Sequence, residues 1–515
     1  MKTFMSNIGF YPLKSRCLQY LPAIFLICFV AAAIYINTFD APFVFDDQPT
    51  IGENAKIRNP GNFLSPDVLR SPRPFVDFTF ALNYHYGKLR VFGYHLVNLF
   101  IHIANGILVF FLSRRLFQKL SGTDNPDSYL AALFAALIFI SHPLQTQAVT
   151  YIAQRYTSMA AFFYLGSVLS YIIARDAKST GKPVACSGFF LLTAFCGVLA
   201  FLSKQISASL PLAILLVEYV VYDQTWQGWK KKIGFVLPGF LLCGFFYAYS
   251  MGMFRHDIQF GTLLEDISEK ARETQAVGRW RYLCTQFNVI AIYVRLLFIP
   301  VQQNVDYVYP FKNGFFDGAT PYSFIFLIGI LGAAGWSRKK HAILFLGILW
   351  FFITLSVESS IFPIRDALFE HRLYLPMFGF SIIGASFMER LLSKHRLWAQ
   401  TAMLVILISL CLLTYNRNKV WRDDVALWSD VVQKNPSNYR GFTNLGNALM
   451  DRGDWKGALA RYDSVLRLRP DNYIALYNKG VLLERTGKSE EAVSLFQETL
   501  RIRPDYSKAM VNLGV

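Results

Sequence analysis

Phe43 to Asp47 reads FVFDD, an apolar run that stops at two adjacent carboxylates soon after the first long hydrophobic segment ends. A carboxyl group desolvated beside lipid is pushed above its ordinary pKa of about 3.9, which makes it a stronger general base. The same pair also suits a solvated turn or a helix N-cap. Other polar residues set among aromatic and apolar neighbours are His142, Arg155, Lys204, Arg295, Asp306, Glu370, His371 and Arg372. One carboxylate to take a proton and several cations to hold a departing phosphate form the minimum set for moving a group off a phosphate-linked lipid carrier. Each has a structural reading as well: Glu370 and Arg372 as a pair at a helix end, Lys204 snorkelling from a turn, His142 closing a helix before Pro143. Arg295 lies inside an apolar run, where an ionisable group is a functional candidate by default. The loops hold no Walker loop, Rossmann glycine run, nucleophile elbow or zincin helix.

The elements that must position these residues are hydrophobic. Of 515 residues, 54% are hydrophobic and only 17% charged, a balance that excludes a soluble enzyme and indicates a polytopic membrane protein. The net charge of +17 is not gathered on one stripe or arm, so nucleic acid is not an expected partner. The basic residues instead form six short clusters: Lys2, Lys14, Arg16; Arg114, Arg115, Lys119; Arg175, Lys178, Lys182; Lys230, Lys231, Lys232; Arg338, Lys339, Lys340; and Arg390, Lys394, Arg396. Placing all six inside predicts about eleven transmembrane helices, with the N-terminus cytoplasmic and the C-terminus outside. The stretch from Tyr20 to Tyr35 is then an uncleaved first span. Tyr282 to Ile299 does not fit this count and is expected to be re-entrant, interfacial or buried against other helices. Ser141 to Tyr156 follows a run short for a span, and a helix broken at Pro143 would explain it. The outward loops gather the candidate residues on one face. The seven cysteines show no CxxC, and neither a disulfide framework nor a metal-binding cysteine site is predicted.

After Tyr415 the composition changes. Pro436, Pro470 and Pro504 are 34 residues apart, as are Gly446, Gly480 and Gly514, and Asn444, Asn478 and Asn512. This period resembles the tetratricopeptide repeat, which stacks helix pairs into a concave peptide-binding surface. Trp428 occupies the position of Tyr462 and Phe496, so a half repeat precedes the first full one. The third repeat stops at Val515, which leads to the expectation of a fragment or of pairing at that end. The predicted domains are 1–415, transmembrane, and 416–515, repeats; the fold class is an all-α membrane bundle followed by an α-solenoid.

FVFDDQPTIGENAKI, RPFVDFTFALNYHYG with GYHLVNLFIH, HPLQTQAVTYIAQR, FLSKQ, NVDY and EHRLYLP, followed by these repeats, together resemble the transmembrane-and-tetratricopeptide-repeat (TMTC) proteins. The resemblance implies a GT-C-like glycosyltransferase related to protein O-mannosyltransferases. It would carry a sugar, mannose in the animal members, from a polyprenyl-phosphate donor to Ser or Thr of a protein, with inversion. By motif, Asp46 and Asp47 match the acidic pair of the first outer loop, and Arg372 and Lys204 match basic positions near the carrier phosphate. His371 and Arg295 are assigned with them, and His142, Arg155, Glu370 and Asp306 as supporting residues. The chain departs from the pattern at Gln147, Gln205 and Thr157, where relatives often carry acids. That weighs against a divalent metal, so no metal ligand or cofactor is assigned.

The leading expectation is thus a membrane glycosyltransferase whose repeats recruit an acceptor protein. The alternative is a non-enzymatic scaffold whose repeats assemble an envelope or secretion complex; it would tolerate loss of the acidic pair, Lys204 and Arg372. The absence of an Asn-x-Ser/Thr sequon with a permissible middle residue and the short inner loops lead to the expectation of a bacterial inner membrane with periplasmic repeats.

Overall fold

The computed structural model describes residues 18–64, 73–121, 125–223, 239, 274 and 277–514, and all regular structure among them is helical. The chain divides into two units: Met1–Val301 with Pro310–Asn418, and Gln302–Tyr309 with Lys419–Val515.

In the first unit the apolar segments form helices α1 (Leu21–Tyr35), α3 (Val91–Ser121), α4 (Pro126–Ser141), α6 (Arg155–Ser179), α7 (Pro183–Ser203), α8 (Leu210–Val217), α10 (Thr320–Ser337), α11 (Ala342–Leu355), α12 (Met377–Lys394) and α13 (Arg396–Asn418). The crossing expected between Lys232 and Met251, with the clusters at Lys2, Lys14, Arg16 and at Lys230 to Lys232, lies outside the described residues. Among the described residues seven helices are long and apolar enough to cross a bilayer, or eight if one bent pair is a single span. α11 is short, and α12 carries Glu389, Arg390 and Lys394 in its last turns. α4 is the centre of the bundle, buried at nearly every residue from Ala131 to Ser141 and packed against α1, α3, α12 and α13. Its chain then bends by 50°. Pro143 has no N–H to continue the ladder, and the short helix α5 (Thr146–Val149) follows the break.

Two helices fall outside the crossing count. α2 (Pro74–Gly87), in the loop between α1 and α3, packs beside α3 and α7. α9 (Arg279–Phe298) is the segment that did not fit the topology. It is not among the span candidates, and its buried face carries Thr285, Gln286 and Asn288 as well as apolar residues. Those polar groups are paired: Gln286 Nε2 donates to Ala367 O and Asn288 Nδ2 to Thr320 Oγ1. α9 thus packs against neighbouring elements through this face and leaves Trp280, Arg295 and Phe298 exposed.

In the second unit, α14 (Asp424–Lys434) is followed by the pairs α15 (Tyr439–Asp451) with α16 (Trp455–Leu468) and α17 (Tyr473–Arg485) with α18 (Ser489–Ile502), then α19 (Ser507–Leu513). Asp423, Asn438, Asp454 and Asn472 cap their helices by accepting from backbone N–H groups. The 34-residue glycine period is explained by packing. A Cβ at Gly446 would lie 2.6 Å from Tyr462, and one at Gly480 would lie 2.6 Å from Phe496. Both rings are buried and cannot retreat. Gly480→Ala is expected to destabilise the repeats by about 1–3 kcal/mol through overpacking. Hydrogen exchange should then quicken in α17 and α18; unchanged protection there would refute the packing account.

Candidate active site

The FVFDD loop separates the roles of its two carboxylates. Asp47 is fully buried, with Oδ2 accepting from Val44 N at 3.0 Å and Oδ1 from Ala153 N at 2.6 Å. Asp46 is exposed. Its N–H donates to the Tyr151 hydroxyl at 2.8 Å, and the same hydroxyl is hydrogen-bonded to its carboxylate. Phe45, between the buried Val44 and Asp46, holds φ at +52°, a conformation a non-glycine residue keeps only when its surroundings over-determine it. Asp47 thus pins the loop and Asp46 presents a carboxylate outward.

Burial pushes the Asp47 carboxyl up to about 8, against the backbone N–H groups that favour its ionised form. An acid whose folded pKa exceeds its unfolded one holds its proton more tightly when native. Its contribution is therefore fully present below about pH 4 and is lost as pH rises through about 8. Unfolding of the solubilised chain should become easier from pH 5 to pH 8, by at most about 1.4 kcal/mol per pH unit. Asp47→Asn should flatten this slope. An equal slope in the variant would assign the titration to another group.

A second cluster gathers cations. Lys204, in the tight turn between α7 and the 3-10 turn Gln205–Ser209, is buried. Its Nζ lies 2.9 Å from Glu358 Oε1 and donates to Thr157 Oγ1 at 3.0 Å. Burial lowers the lysine pKa, with Glu358 opposing. Burial would raise the Glu358 carboxyl, but Lys204 and then Arg372 outweigh it and hold it below the usual range. Arg372 is buried in the 3-10 turn Glu370–Leu373, where Nη1 donates to Ala367 O and Nη2 to Asp366 O, each at 2.8 Å. Burial, reinforced by Lys204, Arg372 and Arg73, holds His371 well below the usual imidazole range, so its ring is neutral. His371 Nδ1 is buried without a hydrogen-bond partner.

This turn is braced on both sides. Tyr293 of α9 donates to Phe369 O at 2.9 Å and accepts from Phe369 N, while Tyr282 donates to Glu358 O. The Tyr374 hydroxyl meets His102 Nδ1 at 2.8 Å and accepts from Asn105 Nδ2 at 3.2 Å. The broken segment after α4 joins the two clusters. Gln147 Oε1 accepts from His371 N at 2.7 Å, and four residues on Tyr151 holds Asp46. Gln147 lies within α5 and Tyr151 two residues past its end, in extended backbone, so one short segment bears on both the acidic loop and the cationic turn.

The chain aligns with known proteins over about four fifths of its length. Residues 443–507 match the tetratricopeptide repeat model. "Protein O-mannosyl-transferase Tmtc3" of Drosophila melanogaster is 24% identical over 83% of this chain and 53% of its own length. "Protein O-mannosyl-transferase TMTC4" of Homo sapiens is 25% identical over 82% of this chain and 63% of its own. The chain is TMTC-like. A shorter alignment with "Protein O-mannosyl-transferase TMTC2" of Mus musculus reaches 31% identity over 37% of the chain and 22% of that protein. The chain spans about half the length of the curated relatives it matches.

The other residues singled out in the TMTC-like sequence have diverse placements. Asp46, Asp47, Lys204, His371 and Arg372 belong to the two joined clusters. Glu370 is buried at the start of the cationic turn. His142 caps the break after α4: one ring nitrogen meets Leu297 O at 3.0 Å and the other accepts from Leu144 N, so both are used in holding the bend. Arg155 is fully buried and donates to Asn98, Asn83, Thr79 and Tyr94 O, a structural node between α2, α3 and α6. Arg295 is exposed near the end of α9, where its backbone carbonyl accepts from Ile299 N. Asp306 belongs to the second unit, where Arg440 holds its buried carboxylate. Sequence spacing could not foresee a partner 134 residues away.

Glu358, Arg73 and Tyr151 were not picked out beforehand. Arg73 stands over the Tyr156 ring at 4.7 Å and adds its field to Lys204 and His371. Glu358 lies twelve residues before Glu370 of EHRLYLP, in the same loop, which was the available signal. Gln147 and Thr157, two of the positions where acids are missing, turn out to touch His371 and Lys204.

Proposed function

We propose that this TMTC-like chain is a GT-C-type membrane glycosyltransferase that moves a hexose, mannose by the names of its relatives, from a polyprenyl-phosphate carrier to Ser or Thr of a protein. The observation that carries the reading is the single segment that binds the FVFDD loop through Tyr151 and the EHRLYLP turn through Gln147. One segment thus ties a loop with an exposed carboxylate to a turn with desolvated cations, and a base and cations of these types suit displacement at a phosphate-activated carbon.

In this mechanism the Asp46 carboxylate takes the proton of the acceptor hydroxyl as its oxygen bonds to the anomeric carbon. The bond from that carbon to the phosphate oxygen breaks with its electron pair, and the configuration inverts. Arg372, Lys204 and Arg73 stabilise the charge gathering on the leaving phosphate, with Glu358 keeping Lys204 in place. Neutral His371 offers its unpartnered ring nitrogen to a sugar or acceptor hydroxyl. Asp47 positions the loop without touching substrate. The six basic clusters set these loops on the outer face, periplasmic or lumenal, and the repeats orient the acceptor polypeptide.

The test is transfer of labelled mannose from polyprenyl-phosphate mannose to protein by the purified full chain in lipid. Transfer that is retained as an alkali-labile Ser or Thr linkage supports the reading. No transfer from any polyprenyl-phosphate hexose would overturn it.

A further inference from the structure

The second unit contains eight residues drawn from far upstream, Gln302–Tyr309, and holds them as a receptor holds a peptide. Gln303, Asn304, Val305 and Asp306 are all buried. Three backbone carbonyls of the segment accept side-chain donors: Gln303 O from Lys434 Nζ, Asp306 O from Asn438 Nδ2 and Tyr307 O from Asn435 Nδ2, each at 2.8 Å. Arg440 donates through both Nε and Nη2 to the two oxygens of the Asp306 carboxylate. The donors come from the end of α14 and the start of α15, and Asn438 also caps α15. The segment is bracketed by Gln302 at φ +58° and Val308 at φ +41°. Left-handed backbone at non-glycine residues, one of them β-branched, persists where surrounding contacts enforce it.

Side-chain donors on carbonyls read a backbone regardless of sequence, while a forked guanidinium selects a carboxylate. We propose that the α14–α15 junction is a binding site for a bent, aspartate-bearing peptide, and that Gln302–Tyr309 is its ligand supplied by the same chain. While the segment is seated, the first recognition site of the repeats is closed to any other peptide. This holds whether or not the chain transfers sugar.

The experiment uses the full chain in detergent. Asn304→Ala with Asp306→Asn weakens the ligand and leaves Lys434, Asn435, Asn438 and Arg440 intact. The probe is a fluorescent synthetic peptide of the sequence PVQQNVDYVYPF, followed by anisotropy, with hydrogen exchange reporting the segment. The expected result is loss of protection over residues 303–307 and peptide binding at least about tenfold tighter to the double variant than to the native chain. A peptide with asparagine in place of its aspartate should bind about tenfold more weakly. Adding Arg440→Lys, which keeps the charge and loses the fork, should weaken capture of the native-sequence peptide. Equal binding to native and double-variant chains would overturn the proposal. So would failure to bind once the segment is unprotected, or a segment that stays protected without its carboxylate.

Discussion

Asp46→Asn is expected to lower transfer of labelled mannose by about 10²–10⁴-fold, the usual worth of a positioned general base, while leaving the folded chain intact. The side chain is exposed, and the backbone N–H that bonds Tyr151 remains in the variant. Unfolding should therefore change by no more than about 0.5 kcal/mol. The rate, measured under substrate saturation at matched protein levels, isolates the chemical step from donor binding. An Asp46→Asn chain with near-native turnover would remove the general base from the mechanism and return the acidic pair to the status of a turn. Loss of transfer accompanied by an equal loss of folded protein would place Asp46 with Asp47 as a structural residue.

The largest effect on stability is expected from Arg155→Met. The guanidinium donates to Asn98 Oδ1 and Asn83 Oδ1 at 2.7 Å, to Tyr94 O at 3.0 Å and to Thr79 Oγ1 at 3.2 Å, and it lies 4.4 Å over the Phe80 ring. Methionine fills much of the volume and supplies none of the donors, so several buried acceptors lose their partner at about 1–3 kcal/mol each. Because neighbouring groups relax together, a net loss of about 3–5 kcal/mol is expected. A domain stable by only about 5–15 kcal/mol would then be largely depleted from membranes. Thermal unfolding of purified native and variant chains measures this. Arg155→Lys should recover only part of the loss, because an ammonium cannot match the planar fork. A methionine variant that unfolds within a degree or two of native would show that the node is dispensable.

Composition, charge spacing and the 34-residue period determined much of this protein without its structure. An apolar segment long enough to cross a bilayer must be helical, since no water is present to satisfy its backbone. The repeat period is equally local in origin, since each glycine faces the ring that follows it on the next helix. The separation of Asp46 from Asp47 was not legible, because both are the same residue type in the same loop. Burial against Ala153 and a positive φ at Phe45 distinguish them, and both depend on chain brought in from elsewhere.

The same reason explains the residues whose placement differed from their motif. Arg155 and His142 have the types and setting of reactive groups, yet four of the five Arg155 N–H groups and both His142 ring nitrogens are bonded within the fold. Asp306 sits in a motif of the membrane part and is bound by Arg440 of the repeats. Glu358 gained its role only when α9 and the Lys204 turn closed around it. What the sequence determined by itself was the set of helices, the repeat and the inventory of acids and bases, because hydropathy and period are properties of neighbours along the chain. Which acid faces solvent, which cation is desolvated and which polar group is already paired were decided by the tertiary structure, because desolvation and hydrogen bonding depend on neighbours in space.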